Sequence, residues 1–222
     1  MSGEPRNAYF CAMQLTVSSL SKRIGKKLIL QEVSFRHEGG VMGIGGPNGS
    51  GKSTLMKCLA GLMKPSSGEI SWQNGSEMDF DTIRLQLGYA APYISHYPEL
   101  TTRENLMFLA HIRNLTDPET RVDQLLSKTG IAHRADVRFG SLSSGQQQRV
   151  RLASALLHTP GILFLDEPGT NLDDTGRSLV RQIIDESRTN QILTLIASNA
   201  EEELDLCDQV FYLGHQEFSY RH

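Results

Sequence analysis

Residues 45–54 read GGPNGSGKST: four glycines, one lysine and three hydroxyl side chains in ten positions. So little side chain and so many free backbone N–H groups suit a phosphate. Gly46, Gly51, Lys52 and Ser53 satisfy the pattern G-x-x-x-x-G-K-S/T, whose glycines let the backbone curl until successive N–H dipoles point at phosphate oxygens. Lys52 is then placed to reach the β- and γ-phosphates of a nucleoside triphosphate, and Ser53 to ligate Mg²⁺. Pro47, Asn48, Gly49, Ser50 and Thr54 complete the cradle.

Further on, ILFLDEP puts four apolar residues ahead of Asp166 and Glu167, so both carboxylates fall where a buried strand ends. Asp166 is expected to hold Mg²⁺ through water. Glu167, pointing the other way on an extended chain, is expected to take a proton from an attacking water, help worth about 10²–10⁴-fold in rate. In LSSGQQQR, Ser143, Ser144, Gly145 and Gln146 open a helix with a second set of free N–H groups and hydroxyls. One cradle already covers the phosphates, so this second start is expected to serve a nucleotide held by another subunit.

These groups need elements to position them. VMGI reads as a strand feeding the glycine-rich loop, and STLMKCLAGLM as a helix leaving it, with Leu55, Met56, Leu59 and Leu62 on one face. MQLTV and KLILQEVSF read as strands before the loop; GEISW and LGYAAP follow it as extended pieces around a polar turn. From Thr101 to about Leu157 the pattern is helical, with a threonine cap at Thr101, Pro118 in a first turn and Gly130 at a helix end. Strands return in GILFLDE, QILTLIAS and DQVFYLG, with the helical DTGRSLVRQIIDES among them. Their short, continuous apolar runs suit buried parallel strands. The reading is one α/β nucleotide-binding core interrupted by a mostly helical insertion at about 93–150, after a tail over 1–12.

A chain of 222 residues is long enough to bury about 70–75% of its unfolded surface without disulfides or metals. A net charge of -3 argues against nucleic acid as a partner, and Lys22, Arg23, Lys26 and Lys27 read as a solvated turn. Cys11, Cys58 and Cys207 form no C-x-x-C pair and read as reduced, as in a cytoplasmic protein. AYFCAMQLTV imitates a signal-peptide core, but Gln14 interrupts it and it leads into an alternating strand pattern. No apolar run reaches the ~18 residues of a membrane span, so any membrane role needs a partner.

Taken in order, GPNGSGKST, LSSGQ, LFLDEP and GTNLD (Gly169 to Asp173) resemble the Walker A, signature, Walker B and D-loop motifs of the ATP-binding subunit of an ABC transporter, over about residues 13–214. The resemblance implies a P-loop NTPase (RecA-like) core with an antiparallel β subdomain and an inserted helical signature subdomain. It also implies a head-to-tail dimer, homodimer or heterodimer, with two ATP molecules between Walker A of one subunit and the signature of the other. Closure on ATP would drive a transmembrane permease from the cytoplasmic face, and Asp173 would lie near the nucleotide.

Three positions depart from that family. Ile24 stands where an adenine-stacking aromatic is usual, Pro92 where a glutamine is usual, and Asn199 where a histidine contacts the γ-phosphate. Asparagine keeps a neutral donor and loses the charge. Slow hydrolysis is expected, with Glu167 and Asn199 as the catalytic pair. Ala91, Pro92 and Asn199, with GEISWQ and ELTTRENLMFLA, are similar to haem-exporter subunits of cytochrome c maturation; Tyr93 and His96 are expected to pack or face a partner. The alternatives are a non-transport ABC ATPase acting as an assembly factor and a binding-only regulatory switch.

Overall fold

Strands β3 (Val41–Gly45), β7 (Ile162–Asp166) and β8 (Leu193–Ser198) are buried at every position. Ile162 and Phe164 pack with one core cluster and Leu163 and Leu165 with the other, so β7 alternates between two covered faces of one sheet. The computed structural model describes residues 13–214 and 216–220. The expected tail at 1–12, Cys11 within it and the first part of AYFCAMQLTV lie outside the described residues.

The central sheet has the order β10-β9-β3-β8-β7-β6, with β6 at Leu87–Ala90, β9 at Gln209–Tyr212 and β10 at Glu217–Tyr220. All its pairs are parallel except β9 with β10. A second, antiparallel sheet, β2-β1-β4-β5, is built from β1 (Gln14–Ile24), β2 (Lys27–Glu38), β4 (Ser67–Gln73) and β5 (Glu77–Met78). Helix α1 (Lys52–Leu59) is wedged between the sheets, its Leu55, Met56 and Leu59 packed with Trp72, Phe164 and Phe211.

The opposite face carries α3 (Thr102–Ile112), α4 (Pro118–Lys128), α5 (Ser144–Ala155), α6 (Asp174–Thr189) and the short α7 (Glu201–Leu204). Thr101 and Glu104 form a capping box at α3, and Pro118 opens α4. Arg113 and Arg121 staple the insertion to the core: one donates to the Leu85 carbonyl, the other to those of Leu156 and Leu157. α5 starts in the insertion and its far end lies on β6.

Three local expectations change. The turn between GEISW and LGYAAP contains a helix, α2 (Phe80–Gln86), capped by Asp79 accepting from Thr82 N–H at 2.7 Å. α1 stops at Leu59 because Gly61 turns left-handed at φ 68°, leaving Leu62 outside the helix and 59% exposed. β10 adds an edge strand beyond DQVFYLG. Cys58 and Cys207 are buried, and Cys207 Sγ lies 3.6 Å from the Glu203 carbonyl.

Candidate functional site

Strand register sets the site. Gly45 of β3 pairs with Ser198 of β8, and Asp166 of β7 with Ala197, so these strands end together and their loops emerge side by side. Ligands of open α/β sheets bind at such carboxyl ends.

From Gly45 the chain runs through residues 46–51 into α1. Gly46, Gly49 and Gly51 have φ of 146°, 80° and 104°, backbone that other residues rarely adopt. A Cβ on Gly51 would also lie 2.9 Å from Leu30 Cδ2. Gly51 caps α1 without a side-chain bond, which leaves the first-turn N–H groups free for phosphate oxygens. Lys52, 5% exposed, donates through Nζ to the carbonyls of Gly46 at 2.7 Å and Pro47 at 3.2 Å. Pro47, Asn48, Ser50, Ser53 and Thr54 line the same turn.

Asp166 is 1% exposed, and neither carboxylate oxygen has a hydrogen-bond partner among the described residues. Burial pushes its pKa up; the hydroxyls of Ser53 and Tyr93 counter this, Glu167 adds to the rise and Lys52 opposes it. Those hydroxyls thus face the carboxylate without making a bond of good geometry. An orphaned buried carboxylate beside a hydroxyl and a phosphate cradle fits Mg²⁺, which takes one or two carboxylates and fills its shell with water and substrate phosphate.

Glu167 is not on extended chain. β7 ends at Asp166, and Glu167 turns left-handed at φ 48° while its N–H still donates to the Ala197 carbonyl at 2.8 Å. Such a conformation in a non-glycine residue is uncommon and clusters at functional sites. Thr170 Oγ1 lies 3.5 Å from Glu167 Oε2. Asn199, just past β8, donates through Nδ2 to Asn48 Oδ1 at 2.9 Å, which bridges it to the cradle. Ile24 is 50% exposed at the end of β1.

Ser143 caps α5 in a capping box with Gln146, so these two satisfy each other, while Ser144 is exposed. Gly145 has a packing reason: a Cβ there would meet the Asn171 carbonyl at 2.6 Å. Asp173 caps α6, accepting from Gly176 N–H at 2.9 Å, and takes Arg149 Nη2 of α5 at 2.7 Å. The signature helix and the Gly169–Asp173 loop are therefore fastened together. They border an open cavity of about 650 Å³ that includes Ser144 and Gly145 but no residue of the Lys52 cradle.

Glu203 is a site residue not singled out from the sequence, and Tyr93, expected to pack or face a partner, also lies at the site. Glu203, in the acidic run after Asn199, accepts from Gly169 N–H at 2.7 Å, and burial pushes its carboxyl up, with Glu167 among the charges that raise it further. Tyr93 brings its hydroxyl to Asp166. Pro92, beside it, is exposed. His96, expected to pack or face a partner, is 7% exposed and bonded to Ser154 Oγ at 2.6 Å. It lines an apolar groove of about 370 Å³ between β6 and the insertion, with Leu62, Tyr97 and Phe108 also on its walls.

A strand–loop–helix phosphate cradle beside a buried strand-end carboxylate defines a P-loop nucleoside triphosphatase. The chain belongs to the ABC transporter family, which it matches over residues 30–170, and it is an ATP-binding subunit and ATPase of that family. It is 32% identical to the ABC transporter ATP-binding protein NatA of Bacillus subtilis, over 93% of this chain and 88% of that protein. It is 33% identical to the sulfate/thiosulfate import ATP-binding protein CysA of Synechococcus elongatus, over 92% of this chain and 61% of that protein. The chain spans about two thirds of the length of several such relatives. Among solved structures, cbiO1 of Clostridium perfringens, part of the ABC transporter complex cbiONQ, is 29% identical with a TM-score of 0.73, covering 92% of this chain and 84% of that one. A dimeric ATP-binding cassette in a post-hydrolysis state, bound to ADP and Pi, is 22% identical and shares the fold, with a TM-score of 0.83 over 94% of this chain and 99% of that one.

Proposed function

We propose that the chain hydrolyses MgATP in a head-to-tail dimer and drives a membrane-spanning permease. The observation that carries this reading is the convergence of Lys52, Ser53, the orphaned Asp166 and Glu167 at one sheet end, while the Ser144 start opens on a separate cavity. Lys52 and the N–H groups of residues 46–54 hold the phosphates, with Ile24 giving the base an aliphatic surface. Ser53 and Asp166 hold Mg²⁺, which neutralises charge on the phosphate oxygens when bound. Glu167 takes the proton of the attacking water, and Asn199 offers a neutral donor to the γ-phosphate. Ser143, Ser144, Gly145 and Gln146 complete the nucleotide site of a second subunit, identical or related, with Asp173 fixing that helix. The strand order supports a second subunit's nucleotide as the ligand of that start, since β3 lies three places from β6, on which α5 rests, or about 14 Å away within one chain.

The groove beside His96 is where a permease segment docks; among the described residues no helix is long and apolar enough to cross a membrane. Docking there holds the chain on the cytoplasmic face as a peripheral subunit. The helical insertion at about 93–150 thus carries both the docking surface and the signature, although α5 itself runs on to Ala155. The similarity to haem exporters rests on Ala91, Pro92, Asn199 and two short segments; none of the relatives named above carries a haem name. Turnover is slow because Asn199 lacks a charge and Pro92 lacks an amide.

The test uses Glu167→Gln, which keeps shape and removes the base. With MgATP it should elute as a dimer in size-exclusion chromatography, and adding Ser144→Arg should return it to monomer. A folded Glu167→Gln protein that stays monomeric at high concentration, alone and with its permease, contradicts the reading.

A further inference from the structure

The groups that face the Asp166 carboxylate come from both sides of the site: Ser53 and Lys52 at the start of α1, and Tyr93 in the turn after β6. Tyr93 is 40% exposed and is held there by Tyr89 and Lys57. Its ring meets Tyr89 edge-on, centroids 6.1 Å apart, the two phenol hydroxyls touch, and Lys57 Nζ lies 3.7 Å above the Tyr93 ring centroid. Tyr89 meets Phe164 edge-on at 5.6 Å, which anchors the pair on the strand that ends in Asp166.

The chemistry fixes the order of the protons. An ionised carboxylate only accepts, so the Tyr93 hydroxyl donates toward Asp166 and the Tyr89 hydroxyl donates to the Tyr93 oxygen. Phenols ordinarily titrate at about pH 10, so both keep their protons at neutral pH. A phenylalanine would pack as well under Lys57; a tyrosine adds a second hydroxyl, beside that of Ser53, facing the Asp166 carboxylate. Pro92, immediately before it, has neither an N–H nor a side-chain amide to give.

We propose that Tyr93 is a positioning residue for the divalent cation, its hydroxyl orienting the Asp166 carboxylate directly or through a cation-bound water, with Tyr89 polarising that hydroxyl. This rests on the reading of Asp166 as a cation ligand. Partners that orient a metal ligand in this way typically contribute about 10–100-fold to metal affinity. A chain of two hydroxyls strengthens each bond modestly, so Tyr89 contributes less.

The experiment measures Mn²⁺ binding by electron paramagnetic resonance on the full chain with a non-hydrolysable ATP analogue. It compares the parent with Tyr93→Phe, Tyr89→Phe and Asp166→Asn. Tyr93→Phe should weaken Mn²⁺ about tenfold, and Tyr89→Phe about two- to threefold, while analogue affinity in excess EDTA and melting temperature stay at the parent's values. If Tyr93→Phe binds Mn²⁺ like the parent while Asp166→Asn has lost it, the proposal falls and the site assignment stands. If Tyr93→Phe weakens cation-free nucleotide as much as Mn²⁺, the residue is structural and the proposal also falls. Parent-like Mn²⁺ binding by Asp166→Asn removes the cation-ligand assignment itself, and the proposal with it.

Discussion

Lys52, in a nearly dry position, donates to the carbonyls of Gly46 and Pro47, and a phosphate oxygen is a stronger acceptor for the same donor. Charge-assisted hydrogen bonds contribute about 1.5–3 kcal/mol each, so Lys52→Ala should weaken ATP at least tenfold in equilibrium binding; unchanged affinity contradicts the cradle. Asn199 is already bonded to Asn48, so Asn199→Ala removes a neutral donor and a bridge to the loop. Neutral bonds net about 0.5–1.5 kcal/mol, which predicts a threefold to tenfold slower phosphate release at saturating MgATP, with Asn199→His equal to the parent or faster. An Asn199→Ala rate equal to the parent's, with Glu167→Gln dead, places the γ-phosphate contact elsewhere. Lys52, Ser53, Asp166 and Glu167 are legible in the sequence because each sits in a local pattern whose chemistry is complete within ten residues. Glu203 is not, and Tyr93 is read only as packing or facing a partner, because each is brought to the site by a partner far along the chain, Gly169 for one and Asp166 for the other.

At the scale of elements, periodicity and caps exposed most of the architecture: the apolar runs of β3, β7 and β8, the capping box of α3 and Pro118 at the start of α4. What escaped was short or set by packing. α2 has only seven residues and a single buried side chain, too few for a periodic signal, although the Asp79 cap was there to be read. The left-handed turn at Glu167 leaves no trace in composition, since glutamate is an ordinary strand-end residue. Gly88 shows how a small residue joins two elements: a Cβ there would lie 2.1 Å from the Ala155 carbonyl, so α5 can rest on β6 only because nothing intervenes. Gly88→Ala should therefore destabilise the fold by about 2–3 kcal/mol, read as a lower urea midpoint with an unchanged slope. An unchanged midpoint means that α5 shifts freely on the sheet.

For the molecule as a whole, two buried histidines and one half-buried one bear on the acid limit. Burial pushes His37, His96 and His158 down to about 4, with Arg151 assisting at His96 and Arg113 and Arg121 at His158, and with Asp208 and Glu38 opposing at His37. The unfolded chain takes up these protons near pH 6.5 and the native chain only near pH 4, so between those values the unfolded state binds more protons and stability falls as pH drops. Melting temperature should hold above about pH 7 and decline steadily toward pH 4.5, with His158→Phe declining less steeply. Equal slopes for variant and parent remove His158 from the account. The groove makes a separate prediction: Phe108→Glu, at a site 40% exposed, should abolish co-purification with the permease and leave the ATPase rate of the isolated chain unchanged. Retained co-purification places the docking surface elsewhere. The seating of α5 on Gly88 has a mechanical consequence. A helix of 12 residues is a rigid rod about 18 Å long, borne on the sheet edge at one end and carrying its serine cap, with the attached Gly169–Asp173 loop, at the other. A tilt of about 5° at the sheet edge sweeps that cap by roughly 1.5 Å, half the length of a hydrogen bond. A push on the groove wall, to which Ser154 and Ala155 belong, is thus geared up into the making or breaking of contacts at the far end of the same rod.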